Sequence, residues 1–379
     1  MTQSVSQGEQ PNVSPVVLRM EGVSRYFGAH AAVDCVSFEL HKGEVLTLLG
    51  PSGCGKTTTL RMAIGLERVS SGRVLYGSRV IDAPAERIFV SPEDRDMGMV
   101  FQSYAIWPHM SVFENVAFPL RTRGAPKSTI DSKVNEILTH VGLAGFAARP
   151  GMHLSGGQQQ RVAVARGLVA NPDVLLMDEP FSNLDAKLRD RLRTELRVLQ
   201  RRLNISILFV THDQTEALAL SDRIAVMRDG KIEQIGPPIE LYTHPATPFV
   251  RDFLGQSVLV RARIVESGAD GTRVRLGDGT QLVSHGRNHL ANAATEAKCL
   301  LSVRPEEIRI VPAAMNGAAN TVAGTIRHLL FLGQYYEAII DLPRGQEAQM
   351  HLGREATWHE GQQIHLQFPK EHVQIWDRQ

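Results

Sequence analysis

Three short stretches hold the residues whose types and spacing could do chemistry. The first is GPSGCGKTT, residues 50–58, which fits the pattern G-x-x-x-x-G-K-[ST]. Its glycines let backbone N–H groups turn inward around phosphate oxygens. Lys56 can reach β- and γ-phosphates as a movable charge, and Thr57 can offer its hydroxyl to Mg²⁺. Cys54 reads as a spacer within the loop. The second stretch is VLLMDEP, residues 174–180, an apolar run that ends in two acids and a proline. Asp178 at the end of the run can hold Mg²⁺ through water, and Glu179 is the natural general base for an attacking water. The third is LSGGQQQR, residues 154–161, which has no general acid, nucleophile or metal ligand. Ser155 reads as a helix N-cap, and Gln158 three residues on completes a capping box. Gly156 and Gly157 strip side chains from the first turn and bare N–H groups at the positive end of the helix dipole. The stretch therefore reads either as a well-capped helix start or as a second anion-binding element. Two phosphate-grasping elements in one chain imply two nucleotides, or one nucleotide shared between two chains.

The elements that must position these residues are legible around them. GEVLTLL (43–49), DVLLM (173–177), ISILFV (205–210) and RIAVM (223–227) are short apolar runs bounded by Gly, Pro or polar residues, the mark of buried strands. The 50–58 loop follows the first of these and precedes the helical TTTLRMAIGL, the context its pattern requires. In residues 186–203, Leu188, Leu192, Leu196, Leu199 and Leu203 make one helical stripe. The arginines on the rest of that helix are interspersed with acids and read as a solvated surface. Residues 129–141 form another helical piece, and QQQRVAVARGLVA buries Val162, Ala165, Leu168 and Val169 on one face. An α/β core with a helical insertion follows for residues 16–250. After Gly255, seven alternating runs from VLVRARIV to IHLQF, divided by Gly, Asp-Gly and Pro, suggest a small all-β barrel or sandwich. The domain boundary falls near 250–257.

The 379 residues carry 41 basic and 40 acidic side chains, a balance that gives no support to a nucleic-acid partner. Cys35, Cys54 and Cys299 are scattered, which fits free thiols and no cysteine metal site. The polar stretch 1–15 has no basic region followed by an apolar run; it reads as a disordered tail and not as a signal peptide. No window approaches the length of an apolar membrane span.

Over roughly residues 16–250 the chain resembles the ATP-binding subunit of an ABC transporter. LSGGQ looks like the family's signature motif, and every family element follows in order. The resemblance implies a P-loop NTPase core with a helical subdomain at about 103–165. It also implies two subunits paired head-to-tail, the signature of one closing on the γ-phosphate held by the other. Gly50, Pro51, Ser52, Gly53, Cys54, Gly55, Lys56, Thr57 and Thr58 would then cradle ATP. Phe27 looks like the aromatic that stacks on adenine, with Tyr26 as the fallback; the plain alternative for Phe27 is a core aromatic. Gln102 resembles the glutamine that joins the Mg²⁺ and water shell, so the implied metal set is Thr57, Gln102 and Asp178. Residues 103–118 resemble the surface that receives a coupling helix from a membrane subunit, with Trp107 and His109 either contacts or merely packed. Ser182 to Asp185 looks like the loop at the dimer seam. His212 resembles the histidine that contacts the γ-phosphate. The implied catalytic residues are Glu179, His212 and Lys56, assisted from the opposing chain by Ser155, Gly156, Gly157 and Gln158.

Residues 251–379, through GTIRHLLFLGQYYEAIIDL, resemble the OB-like TOBE extension on ATPases of binding-protein-dependent importers. MGMVFQSYAIWPHMSVFENVAFPL is also similar to that group. The length of residues 79–101 tilts the reading toward the iron, polyamine and phosphonate branch over the sugar branch. The implied reaction is ATP hydrolysis with Mg²⁺ that energises solute import. The implied partners are a second ATPase subunit in a homodimer, two transmembrane permease subunits and a periplasmic or lipid-anchored solute-binding protein, without nucleic acid. The implied place is the cytoplasmic face of the inner membrane, as a peripheral subunit. The alternative is a non-transport or exporter-associated ABC ATPase. The repair type needs a long coiled coil within 103–154, where there is no room, and the translation type carries two cassettes per chain.

Overall fold

The computed structural model describes residues 14–268, 270–290, 294–312 and 320–377. Most of the expected tail, residues 1–13, lies outside the described residues. The chain divides into two compact units between Ala246 and Thr247, just ahead of the expected boundary interval.

The first unit opens on the long antiparallel pair β1 (Val16–Phe27) and β2 (His30–His41). The buried strand β3 (Val45–Leu49) and helix α1 (Lys56–Ile64) come next. Then β4 (Ser71–Tyr76), β5 (Arg79–Ala83) and β6 (Ile88–Phe89) extend the first pair into an antiparallel sheet of order β2-β1-β4-β5-β6. After β7 (Gly98–Val100) three helices form the insertion: α2 (Val112–Thr122), α3 (Lys127–His140) and α4 (Gly156–Leu168). The chain then alternates through β8 (Val174–Asp178), α5 (Ala186–Leu203), β9 (Ser206–Thr211), α6 (Gln214–Leu220) and β10 (Arg223–Arg228). It ends on β11 (Lys231–Gly236) and the short α7 (Pro238–Thr243). The central sheet runs β11-β10-β3-β9-β8-β7, parallel throughout except for β11.

β3, β8 and β9 are buried at every residue, which is why they appear in sequence as unbroken apolar runs. The parallel sheet brings the C-terminal ends of β3, β8 and β9 together, and the motif residues follow those ends. Helix α5 coincides with the leucine stripe: Leu192 and Leu196 are buried, with Leu188, Leu199 and Leu203 packed beside them. Two features depart from the sequence reading. The β1-β2-β4-β5-β6 sheet makes part of this unit antiparallel and not alternating α/β. Helix α4 buries Ala163 and Val164 as well as the expected face, because helices α2 and α3, the central sheet and α5 enclose it on several sides.

In the second unit a short helix, α8 (Pro248–Phe253), precedes ten strands among the described residues, where the sequence suggested seven. One antiparallel sheet joins β12 (Val258–Gly268), β13 (Gly271–Leu276), β14 (Gln281–Ser284), β15 (Lys298–Val303) and the last strand, β21 (Gln374–Asp377). The other joins β16 (Arg309–Val311), β17 (Thr321–Phe331), β18 (Tyr335–Leu342), β19 (Gln346–Gly353) and β20 (Gln363–Gln367). Val260, Ile264 and Leu301 of the first sheet share one core with Ile326, Ile340 and Leu366 of the second. The strands missed in sequence are β14, β19 and β21. Two are only four residues long, and β19 alternates Ala348, Met350 and Leu352 with glutamine, histidine and glycine, a weak apolar signal.

Candidate active site

The 50–58 loop turns between β3 and α1. Gly55 caps α1 at φ 102°, a backbone that side-chain-bearing residues avoid, and an added Cβ there would strike the Ala32 carbonyl. Lys56 is only 5% exposed, and its Nζ donates to the carbonyls of Gly50 (2.8 Å) and Pro51 (2.9 Å). The ammonium thus lies folded over its own loop. Pro51, Ser52 and Gly53 are exposed, while Cys54 is buried. Burial pushes the Cys54 thiol above its ordinary value, against the pull of the neighbouring Lys56 charge. The spacer reading suits it, and Cys54 meets a thiol reagent poorly in this state.

The ends of β8 and β9 assemble the rest. Thr57 Oγ1 donates to Asp178 Oδ1 at 3.0 Å, so the two expected metal-facing oxygens are neighbours. Burial pushes the Asp178 carboxyl above the usual carboxylate range, with the Thr57 hydrogen bond pulling it back and Glu179 adding to the push. Glu179 is gripped on both carboxylate oxygens. Gln102 Nε2 donates to Oε2 at 3.3 Å, and His212 Nδ1 lies 3.1 Å from Oε1. Ser182 Oγ donates to the Glu179 carbonyl, and Asn183 Nδ2 donates to the Gln102 carbonyl, at 3.0 and 3.1 Å. Residues separated by up to 110 positions thereby form one connected polar set with a carboxylate at its centre.

Ser155 and Gln158 make the expected capping box at the start of α4: the Gln158 N–H donates to Ser155 Oγ, and the Ser155 N–H to Gln158 Oε1. Ser155 and Gly156 are exposed. Gly157 is buried where a Cβ would crowd Leu188 and Leu192 of α5. Among the described residues, no hydrogen bond or ion pair ties Ser155–Gln158 to the loop or to the Glu179 set. Asp185 caps α5 by accepting from the Leu188 N–H at 2.9 Å. Phe27, at the end of β1, is 48% exposed, which removes the core-aromatic alternative; the Arg25 guanidinium lies 4.6 Å from its ring centroid. Trp107 packs on Phe118 with ring centroids 4.5 Å apart and lines a cavity of about 540 Å³, whereas His109 is exposed.

With this geometry in place, the comparisons with known proteins are direct. Residues 33–182 match the ABC transporter family and residues 301–376 the TOBE domain family. The Fe(3+) ions import ATP-binding protein of Rhizobium etli is 46% identical over 335 residues, 88% of this chain and 90% of its own length. The chain belongs to the ABC transporter ATP-binding family. The spermidine/putrescine import ATP-binding protein of Rubrobacter xylanophilus is 42% identical over 345 residues, 91% of this chain and 89% of its own. Among solved structures, cbiO1 of Clostridium perfringens, part of the ABC transporter complex cbiONQ, aligns with a TM-score of 0.55 at 30% identity, covering 60% of this chain and 91% of that one. This ABC ATPase therefore binds and hydrolyses ATP as the energising subunit of an importer, works with membrane permeases and carries a TOBE domain. Among the described residues, no helix is long and apolar enough to cross a membrane.

Two arginines that support the site were missed in the sequence. Arg95 is fully buried, donates to the carbonyls of Met62 and Ala63 at the end of α1 and to that of Val90, and lies 3.6 Å from Asp82. Arg166 on α4 donates to the carbonyls of Tyr104 and Ala105, both at positive φ, two and three residues beyond Gln102. Burial lowers both guanidinium pKa values, yet carbonyl acceptors surround them. Arg95 sits in the polar run SPEDRD, and Arg166 follows the apolar VAVA of a helix where an arginine at the edge of the stripe reads as a surface residue; neither carries a signal of its burial.

Proposed function

We propose that this ABC ATPase cleaves ATP at a composite site between two copies of the chain, with Glu179 as the general base. The observation that carries this is the Glu179 carboxylate held between Gln102 and His212, beside the Thr57–Asp178 pair. A base must present its carboxylate in fixed orientation to water, and two partners from separate elements do that. Thr57 and Asp178, with Gln102, offer the oxygen donors that Mg²⁺ takes and would hold it. Bound there, the ion neutralises charge on the β- and γ-phosphates. Lys56 leaves the Gly50 and Pro51 carbonyls to meet the phosphates, Phe27 stacks on adenine, and His212 and Lys56 stabilise charge on the γ-phosphoryl group. Ser155, Gly156, Gly157 and Gln158 of the second copy approach the same phosphate, with Asp185 at the seam.

The cavity lined by Met99, Trp107, Phe118 and Arg166 suits a coupling helix from a permease; on this reading the subunit works at the cytoplasmic face of the membrane, beside two permeases and a solute-binding protein. For the cargo we take the ferric-iron or polyamine class, since relatives named for those solutes align across both units. Glu179→Gln tests the core of this reading. It should bind ATP as the parent does and lose hydrolysis by about 10²–10⁴-fold in a phosphate-release assay. Near-normal turnover in that variant sinks the assignment.

A further inference from the structure

Helices α4 and α5, with His140, Val141 and Gly142 at the end of α3, line an open cavity of about 370 Å³ that none of the chemistry above uses. Its floor is apolar, from Val164 on α4 and Leu192, Leu196 and Leu199 on α5. Gln160 lines one end. Its side chain is 97% buried by residue exposure (3% exposed), yet its Oε1 has no hydrogen-bond partner among the described residues. A buried carbonyl oxygen without a donor is costly, and a ligand that supplies one relieves the cost. The rim is cationic. Arg161 and Arg191 share the single carboxylate of Glu195 at 2.5 and 2.9 Å, whereas Arg202 has no ion pair among the described residues. Three guanidinium groups against one carboxylate leave two positive charges in excess. Glu195 and Arg202 are seven residues apart on α5, about 10 Å along the helix.

We propose that this cavity binds an amphipathic carboxylate with an aliphatic body and a hydroxyl at its far end. The carboxylate pairs with Arg202, which has no internal acid to compete for it. The aliphatic body lies on Val164, Leu196 and Leu199 and leaves water. The hydroxyl donates to Gln160 Oε1, near the Arg161–Glu195 pair. All three parts are needed: a plain fatty acid leaves Gln160 unsatisfied, and a diol leaves Arg202 unpaired. A ligand so placed bridges the two helices that begin at Ser155 and Asp185.

Isothermal titration of the full-length protein with 10-hydroxydecanoate, decanoate and 1,10-decanediol, without nucleotide, tests this. The hydroxy acid should bind about tenfold tighter than either comparison compound. Arg202→Gln, at an exposed position, should erase the preference over the diol, and Gln160→Met the preference over decanoate. Equal binding of the three compounds, or unchanged preferences in a folded Arg202→Gln protein, overturns the proposal. Because no ATP is present, the outcome is independent of the role assigned to Glu179.

Discussion

Glu179 holds its carboxylate on a backbone that glutamate rarely adopts, with φ at 43°. The conformation persists because its N–H donates to the Val210 carbonyl at 2.9 Å and both carboxylate oxygens are engaged. Strain of this kind is retained where orientation matters more than stability. Asp178, one residue earlier, is costly in a different way. Burial raises its carboxyl above the ordinary range, and the hydrogen bond from Thr57 offsets only part of that. An acid whose pKa is higher in the folded chain binds more protons folded than unfolded. Stability therefore falls as pH rises from the unfolded value through the folded one, and the loss is complete above it. Asp178→Asn removes this loss while its amide oxygen still accepts from Thr57. Its melting temperature at pH 7 should exceed that of the parent, the difference should shrink as pH drops into the ordinary carboxylate range, and ATP turnover should be lost throughout. A variant that melts at or below the parent temperature at pH 7 contradicts the argument.

At the scale of elements, α1 is held from both ends. Its start is the 50–58 loop, and its final carbonyls are taken by Arg95, which reaches them from the segment before β7. Truncating Arg95 to methionine removes a donor from the carbonyls of Ala63, Val90 and Met62, of which Met62 alone keeps the Gly65 N–H, and leaves the buried Asp82 without the guanidinium beside it. Removing one member of a buried pair of this type costs about 3–5 kcal/mol. Chemical denaturation of Arg95→Met should show a loss of that order, and Arg95→Met combined with Asp82→Asn should recover part of it. A single-variant loss below about 1 kcal/mol would mean that the pair is no more than a surface-like contact. The same residue shows what the sequence could and could not disclose. β3, β8 and β9 were legible because strands buried on both faces must be apolar throughout, and α5 because its leucines repeat at helical spacing. The capping box at Ser155 was legible because its two partners are three residues apart. Arg95 and Arg166 were not, since their acceptors are carbonyls, which carry no sequence signal, as much as 33 and 62 residues away. The sheet built on β1 and β2 escaped for a related reason: its pairing joins residues as far apart as Leu18 and Tyr76, through strands whose burial alternates irregularly.

At the scale of the whole molecule, the residues proposed for hydrolysis all lie in the first unit, and they divide into two groups. Lys56, Thr57, Asp178, Glu179, Gln102 and His212 sit around the ends of β3, β8 and β9. Ser155 and Gly156 stand apart at the head of α4, exposed, with their capping satisfied internally. An exposed helix start with bare N–H groups is built to meet an anion, and among the described residues no hydrogen bond or ion pair joins it to the phosphate loop of its own chain. A two-fold pair of chains would bring each α4 start to the other chain's loop and form two equivalent sites. This can be tested by complementation. Ser155→Arg blocks the helix start and leaves the loop intact; Lys56→Ala disables the loop and leaves the helix start intact. Neither parent dimer has a complete site, but each mixed dimer has one. Equal mixing makes half of the dimers mixed, each with one site of two, so ATP turnover should recover to about a quarter of the unmodified protein. Recovery should vanish when Ser155→Arg and Lys56→Ala are placed in the same chain and that chain is mixed with either parent. If both parents dimerise and their mixture stays inactive, the α4 start does not serve the partner's nucleotide, and its capping box is only the beginning of a helix.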